Sequence, residues 1–357
     1  MLEKSLRFLE ALVNTPSPAS YESAGQKIWL SYVKPFADDT FSDAYGNTVA
    51  VLNKGGSPKV MISAHADEIA LTVNYVSNEG YIYVRKLGGV NPAILQAQRV
   101  TIHTKSGPIL GVVGCIPPHF ISKDSQETKP PKIHELFIDI GTRSKAETLE
   151  LVKIGDPITI NHKFELLRNG LATARAFDNR VGTFAIAETL RLLSESKKKI
   201  NAEVNIVSNI MEEVGLFGAR QIAYTIKPDV AIVVDVTHST DYPNVKKEQH
   251  GEISLGKGPT LTYGGCNHPA VVKKLEDAAE KLKIPIQHET VSSTSGTDTD
   301  AIFWTRGGIP SALVSIPNRY MHSPVEIISL HDLELVPQLL HGFCVSLKPH
   351  EKFSVII

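Results

Sequence analysis

After residue 161, apolar stretches of strand length alternate with amphipathic stretches of helix length, and this alternation constrains the fold most strongly. The first 60 residues follow a related pattern, with two helices and then two short strands. Strands separated by helices of this length indicate a mostly parallel sheet covered by helices on both faces. The predicted helices are residues 2–13, 21–33, 180–197, 218–224, 269–282 and 299–306, and the predicted strands are residues 47–52, 59–63, 202–210, 228–234, 285–289 and 310–316.

Between about residues 69 and 160 the pattern changes to short β segments that Gly and Pro interrupt, such as YIYVRKL, QRVTIHTKSG, PILGVVGCI and LFIDIG. Such a series indicates a small all-β unit. The sequence therefore predicts an α/β domain of residues 1–66 and 163–357, interrupted by a small β-barrel-like domain of residues 67–162. A charged, proline-rich loop at residues 117–132 is predicted to be exposed and mobile.

Composition excludes several classes of protein. The 37 Lys and Arg residues balance 38 Asp and Glu residues, so a nucleic-acid partner is not expected. Three cysteines without C-x-x-C spacing indicate neither a disulfide framework nor a thiolate zinc site, and they suggest a reducing compartment. The N-terminus lacks the apolar core of a signal peptide, and no apolar run approaches the length of about 18 residues that crosses a bilayer. We therefore expect a cytoplasmic protein with no membrane partner.

Potential metal ligands follow directly after four of the predicted apolar strands. In open α/β sheets the carboxyl ends of the strands line the ligand crevice, so these side chains are expected to meet. The residues are His65 and Asp67 after the first strand, Glu212 and Glu213 after the second, Asp235 at the end of the third and His322 after the fourth; Asp178, just before a helix, adds another carboxylate. Two imidazoles and three carboxylates suit two divalent ions that share one carboxylate, and zinc fits such mixed ligands best.

Each of these residues has a simpler interpretation when it is taken alone. His65 and His322 could be hydrogen-bonded turn residues, Asp178 a helix cap, Asp235 a turn residue and Asp67 a polar strand end. The adjacent glutamates are harder to explain in this way, because two carboxylates after a buried strand repel each other unless cations or protons offset them. The combination at several strand ends therefore favours a site.

The two adjacent glutamates can divide the chemistry between them. Neighbouring side chains leave the chain in different directions, so one can bind metal while the other takes a proton from a water bound between the metals. Asp67, two residues after His65, fits the role of orienting a ligand imidazole.

Several segments can be compared with known families as whole motifs. In chain order they are HADEIA, AFDNRVG, MEEVGLFGAR, VVDVTHSTDYPN, SGTDTDAI and RYMHSPVEIISL. They resemble the motifs of the tetrahedral (TET) metallo-aminopeptidases, also called deblocking aminopeptidases, and the similarity extends through the β region to nearly the whole chain. The resemblance implies a peptidase domain with an inserted β domain that mediates assembly, commonly into hollow dodecamers, with a dimer as the second possibility.

The resemblance also implies roles for individual residues. It makes Glu212 the general base and Asp178 the bridging ligand, in a dinuclear enzyme that hydrolyses the N-terminal residue of peptides with zinc, cobalt or manganese. One metal would be held by His65, Asp178 and Asp235, and the other by Asp178, Glu213 and His322. Asn179 departs from the family pattern of two aspartates, which leaves the affinity for the second ion open.

The substrate pocket is less well defined by the sequence. Thr297, Asp298 and Gly265 follow predicted strands and are candidate pocket-lining residues, although glycine-rich loops are frequently plain turns. We also expect the β unit to take part in subunit contacts, because a β unit with many exposed strand edges tends to have them paired or covered.

Two other functions remain open at this point. A glycoside hydrolase could use a pair of carboxylates, but it would leave His65 and His322 without a role. A non-catalytic scaffold could use the inserted domain for assembly alone, and a crevice that holds no metal would favour it.

Overall fold

The computed structural model describes residues 1–120, 130–355 and 357. Residues 121–129 of the loop that we predicted to be exposed and mobile lie outside the described residues. The helices are α1 (Glu3–Asn14), α2 (Ser23–Val33), α3 (Lys145–Leu151), α4 (Phe177–Ser194), α5 (Phe217–Ile226), α6 (Lys247–His250), α7 (Pro269–Leu282), α8 (Asp298–Phe303) and α9 (Leu330–Ser346). The strands are β1 (Asp39–Ser42), β2 (Thr48–Leu52), β3 (Lys59–His65), β4 (Ala70–Val76), β5 (Ile82–Leu87), β6 (Arg99–Thr104), β7 (Gly107–Val113), β8 (Phe137–Asp139), β9 (Pro157–Ile160), β10 (Glu165–Leu166), β11 (Leu171–Ala174), β12 (Glu203–Asn209), β13 (Val230–His238), β14 (Thr260–Tyr263), β15 (Gln287–Thr290), β16 (Ser311–Arg319) and β17 (Glu326–Ser329).

A large sheet forms the centre of the molecule, with the strand order β1-β2-β12-β3-β13-β16-β17-β11-β10. Its central strands β12, β3, β13 and β16 run parallel, and the outer strands are antiparallel. Strands β14 and β15 pair with each other and join the sheet through β16. The carboxyl ends of the four parallel strands therefore meet along one edge.

Both faces of the large sheet are covered, and the side chains of β3 show how. Val60 and Ile62 point to one face and pack in a core with residues of α1, α2, α4, α7 and α9. Met61, between them, points to the opposite face and packs with residues of α5 and α8. This alternation follows from the two-residue period of a strand, and a strand that is buried on both faces reads as a continuous apolar run.

The inserted β region is a closed barrel with the strand order β4-β5-β8-β7-β6-β9 and its own apolar core. The predicted fold class, a mostly parallel α/β sheet with an inserted small barrel, is confirmed. Closure pairs each barrel strand with two neighbours, which reduces the exposed edges that we expected, although β8 pairs with only two residues each of β5 and β7. The exact domain boundaries at residues 67 and 162 stay a prediction.

The helix α9 had no counterpart among the predicted elements. Most of its residues are buried, so the sequence shows no clear polar face there. The helix also contains Pro337, a residue that is unfavourable inside a helix. Within the described residues, no helix combines the length and apolar character needed to cross a membrane.

Candidate metal centre

The parallel register brings the predicted ligands to one edge of the large sheet. His65 ends β3 and stands opposite Asn209, the last residue of β12, after which the chain turns into Glu212 and Glu213. On the other side of β3, Asp235 is carried by β13. His322 follows the neighbouring strand β16. A donor at the end of each strand thus reaches the same crevice.

Asp178 lies between the two imidazoles. Its Oδ1 is 3.2 Å from His65 Nε2, and its Oδ2 is 3.2 Å from His322 Nε2. Glu213 Oε2 is 3.4 Å from the same nitrogen of His322. One carboxylate therefore offers a separate oxygen to each half of the cluster.

Two further carboxylates lie on the His65 side of the cluster. Asp235 Oδ1 is 3.7 Å and Glu212 Oε2 is 3.8 Å from His65 Nε2. Donor atoms that could share one ion form two groups, His65–Asp178–Glu213 and His65–Glu212–Asp235, with atoms within 4.8 Å of one another. These groups divide the residues differently from the resemblance, so the assignment of ligands to each ion stays a prediction.

Asp67 organises the segment that carries the two glutamates. Its Oδ1 accepts a hydrogen bond from the backbone N–H of Glu212 and its Oδ2 one from that of Glu213, both at 3.0 Å. Its Oδ1 is also 3.4 Å from His65 Nδ1. A carboxylate that is fully buried in this way holds the strand ends of β3 and β12 together.

Glu326 is a buried residue of the site that we did not select from the sequence. Its Oε2 accepts from the backbone N–H of Asp178, and its Oε1 accepts from that of His322, each at 3.0 Å. It thereby ties together two residues that are far apart in the chain. The sequence could have indicated it, because Glu326 lies in the motif RYMHSPVEIISL, which also contains His322.

Both polar atoms of the Asn179 side chain bind backbone groups of the fold, so neither is left to bind a metal ion. Its Nδ2 donates to the backbone oxygen of Val234 at 2.8 Å, and its Oδ1 accepts from the N–H of Gly182 at 3.0 Å. The backbone of Asp178 and Asn179 is not helical, and Asn179 rather than Asp178 accepts from a backbone N–H of the helical turn that follows, so Asn179 fills the capping position that we considered for Asp178. An aspartate here would lack the N–H donor that Val234 requires.

The barrel supplies one wall of the site through Gly88 and Gly89. A Cβ atom at Gly89 would lie 2.7 Å from His322 Nδ1, so a side chain there would displace the imidazole. The donors line an open cavity of about 430 Å³, to which Gly89, Leu216 and Thr297 also contribute. The site thus lies where the barrel meets the large sheet.

The three candidate pocket residues occupy different places. Thr297 lines the cavity. Asp298 is 0% exposed and does not line it; its Oδ2 accepts from Asn209 Nδ2 at 2.7 Å. Gly265 packs against the backbone of Ser293 and is not part of the lining. Whether any of them contacts substrate stays a prediction.

The electrostatics of the cluster favour bound cations. Burial is the main cause that raises the pKa values of Glu212, Glu213 and Asp235, and that of Glu213 reaches about 7. Burial also opposes ionisation of Asp178, but hydrogen bonds from His322 and His65 outweigh it and lower its pKa. Hydrogen bonds to Asp178 and Glu213 raise the pKa of His322 to about 11. In the absence of metal, the carboxylates and imidazoles of the cluster are thus close enough to affect one another's protonation.

The donor set fits divalent ions. None of the described residues that line the cavity is a lysine or an arginine, so among these lining residues only the histidines can carry a positive charge beside the carboxylates. The buried Oε1 of Glu213 has no hydrogen-bond partner among the described residues. An unpaired buried carboxylate oxygen is costly, and a metal ion would satisfy it.

The fold and the site together define a class of enzyme, the aminopeptidases, as comparison with known proteins shows. The M42 glutamyl aminopeptidase family matches residues 46–339. The lysyl aminopeptidase of Pyrococcus furiosus is 33% identical over 345 residues, which cover 96% of this chain and 97% of that protein. The chain belongs to the M42 family of aminopeptidases.

Solved structures agree with this assignment. A TET aminopeptidase from a marine sediment archaeon of the Thaumarchaeota superposes with a TM-score of 0.91 at 31% identity, covering 97% of each chain. The TET1 peptidase of Pyrococcus horikoshii, which can assemble into a tetrahedron or a large octahedral shell, superposes with a TM-score of 0.86 at 29% identity, covering 96% of this chain and 100% of that one. The predicted recognition of a TET-type aminopeptidase is confirmed.

Proposed function

We propose that the protein is a dinuclear metal-dependent aminopeptidase that removes the N-terminal residue of peptides. The observation that carries the proposal is the position of Asp178, which directs one oxygen to His65 and the other to His322. A carboxylate in this position can bridge two cations. Asp178, with His65 and Asp235 on one side and Glu213 and His322 on the other, would hold the ions, and zinc, cobalt and manganese all suit these donors.

The reaction that we propose assigns a separate task to Glu212. Divalent ions at this site would supply Lewis acidity, which polarises the peptide carbonyl and acidifies the attacking water. Glu212 takes the proton from that water and passes it to the nitrogen of the leaving amine. Asp67 keeps Glu212 and Glu213 in place through their backbone N–H groups and orients His65. Glu326 keeps Asp178 and His322 in place by accepting hydrogen bonds from their backbone N–H groups.

We expect chelation by EDTA to abolish hydrolysis of aminoacyl p-nitroanilides, and added zinc, cobalt or manganese to restore it. At saturation, elemental analysis should give two ions per chain, because the cluster offers two sets of donors around Asp178. One ion or none per chain would contradict the dinuclear proposal. Cleavage of cello-oligosaccharides that survives EDTA would support the glycoside hydrolase instead, and a chain without activity or stoichiometric metal would support the scaffold.

We also propose that the chain assembles into a homo-oligomer, with a dodecamer favoured and a dimer second. The barrel and the segment that follows β7 present apolar side chains to the outside. Leu110 on β7 is 60% exposed, Ile116 is 61% exposed and Phe120 is 82% exposed. Val112, two residues after Leu110 on β7 and therefore on the same face, is 46% exposed, and adjacent exposed apolar side chains of this kind are typical of a protein interface.

Light scattering at micromolar concentration should therefore give a mass of several chains. The substitution Leu110→Glu should shift the distribution towards smaller species, because it places a charge in the apolar surface of the barrel. A monomer in the unsubstituted protein would contradict the proposed assembly.

A further inference from the structure

A second cavity adjoins the metal-site cavity and has a distinct chemical character. It has a volume of about 440 Å³ and shares Val236, Thr237, His238, Ser295 and Thr297 with the metal-site cavity. The two cavities therefore adjoin at these residues. A substrate held at the metal cluster has room to extend a side chain into the second cavity.

Glu289, on the short strand β15, supplies a carboxylate to this second cavity. Its Oε2 accepts from the hydroxyl of Thr237 on β13, and its Oε1 accepts from the hydroxyl of Thr262 on β14, both at 2.6 Å. Two donors from different strands hold the carboxylate in a defined orientation. An ionised carboxylate has about four lone-pair sites, so two remain for a ligand.

The other groups around the second cavity leave this negative charge unbalanced. None of its described lining residues is a lysine or an arginine. Two histidines line it, His238 and His250, and burial lowers the pKa of His238, which favours its neutral form. Val236, Val291 and Leu313 supply apolar surface. The lining thus combines apolar side chains and uncharged polar side chains, such as Ser239 and Tyr242, with a single carboxylate.

The distance from the metal cluster suits a long side chain. Asp235 and Thr237 are two residues apart on β13, so their side chains lie on the same face, about 6.6 Å apart along the strand. Thr237 holds Glu289, whereas Asp235 belongs to the donor cluster. A substrate whose Cα lies beside the cluster would need a flexible stem of several carbons to reach the carboxylate.

We propose that Glu289 is a specificity-determining residue that selects peptides with a lysine or arginine at the N-terminus. The inference rests on the proposed aminopeptidase function. The aliphatic stem of the substrate side chain packs on the apolar side chains of the lining, and its cationic end binds the free lone pairs of the Glu289 carboxylate. An N-terminal glutamate or aspartate is disfavoured because its charge would face Glu289.

The test compares p-nitroanilides of lysine and norleucine, because the two side chains differ mainly in the terminal ammonium group. Arginyl and glutamyl p-nitroanilides complete the set. In the unsubstituted enzyme with metal, we expect kcat/KM for lysine to exceed that for norleucine by about 10- to 100-fold. Glu289→Gln should reduce this ratio to near 1 by lowering the lysine value and leaving the norleucine value within about 3-fold.

The matched control is Glu280→Gln, which makes the same chemical change at an exposed position of α7 and should leave the ratio unchanged. If Glu289→Gln lowered kcat/KM equally for every substrate, Glu289 would only join the strands and the inference would be overturned. A preference of the unsubstituted enzyme for norleucine or glutamate would overturn it as well. Absence of hydrolysis of all four substrates would overturn the proposed function together with this inference, whereas hydrolysis without cationic preference would overturn this inference alone.

Discussion

Glu212→Gln should lower kcat by about 10²- to 10⁴-fold while KM and metal content stay near the values of the unsubstituted enzyme. The amide has nearly the same shape as the carboxylate, and the backbone N–H of Glu212 remains bound to Asp67. The substitution removes the proton acceptor without disturbing the turn after β12. Steady-state kinetics with an aminoacyl p-nitroanilide and elemental analysis of the same sample measure both quantities.

The adjacent residue provides the contrast that separates the two roles. Glu213→Gln should lose part of the bound metal, because a neutral amide is a poorer ligand than a carboxylate, and excess metal should recover part of the activity. Glu10→Gln, at an exposed position of α1, is the control and should change neither property. If Glu212→Gln lost metal while Glu213→Gln kept it without turnover, the two roles would be reversed.

Asp178→Asn should lower metal content below one ion per chain and reduce kcat/KM by at least about 10³-fold. The carboxylate offers one oxygen to the half of the cluster around His65 and the other to the half around His322, whereas an asparagine has one neutral oxygen and one N–H₂ group. Added metal should restore little of the activity, since neither set of donors keeps its shared anion. Elemental analysis and kinetics across a metal titration measure the effect.

The control for this prediction is Asp277→Asn, the same substitution at an exposed ion pair with Lys273 on α7. It should keep both metal content and turnover. If Asp178→Asn bound two ions per chain and turned over at the unsubstituted rate, a bridging role for Asp178 would be excluded, and the ions would have to be held by other members of the cluster.

The selection of residues for the candidate site came from a local signal in the sequence. An apolar run followed by a histidine or a carboxylate is visible within a few residues, as at His65 and Asp235. Because parallel strands place their carboxyl ends at one edge, that signal also predicted that these residues would meet, and the structure does bring them together. The roles assigned to them stay predictions.

The residues that the sequence did not reveal make contacts between distant parts of the chain. Glu326 binds the backbone of Asp178, 148 residues away, and the carboxylate of Glu289 binds a hydroxyl of Thr237, 52 residues away. A glutamate in the sequence has many potential partners, and only the packing of the strands selects one. The same holds for Gly89, whose missing side chain matters because the barrel approaches His322 closely.

The sequence by itself determined the fold class and the chemical types of the donors. The period of apolar residues predicts helix or strand locally. Residues such as Glu212 and Glu213 can be identified as potential metal ligands or proton acceptors from their type alone. Only the tertiary structure decided the closure of the barrel, the amide contacts of Asn179 and the position of the second cavity beside the metal-site cavity. These features depend on distances between elements that are remote in the chain, and such distances arise from packing and not from any local pattern.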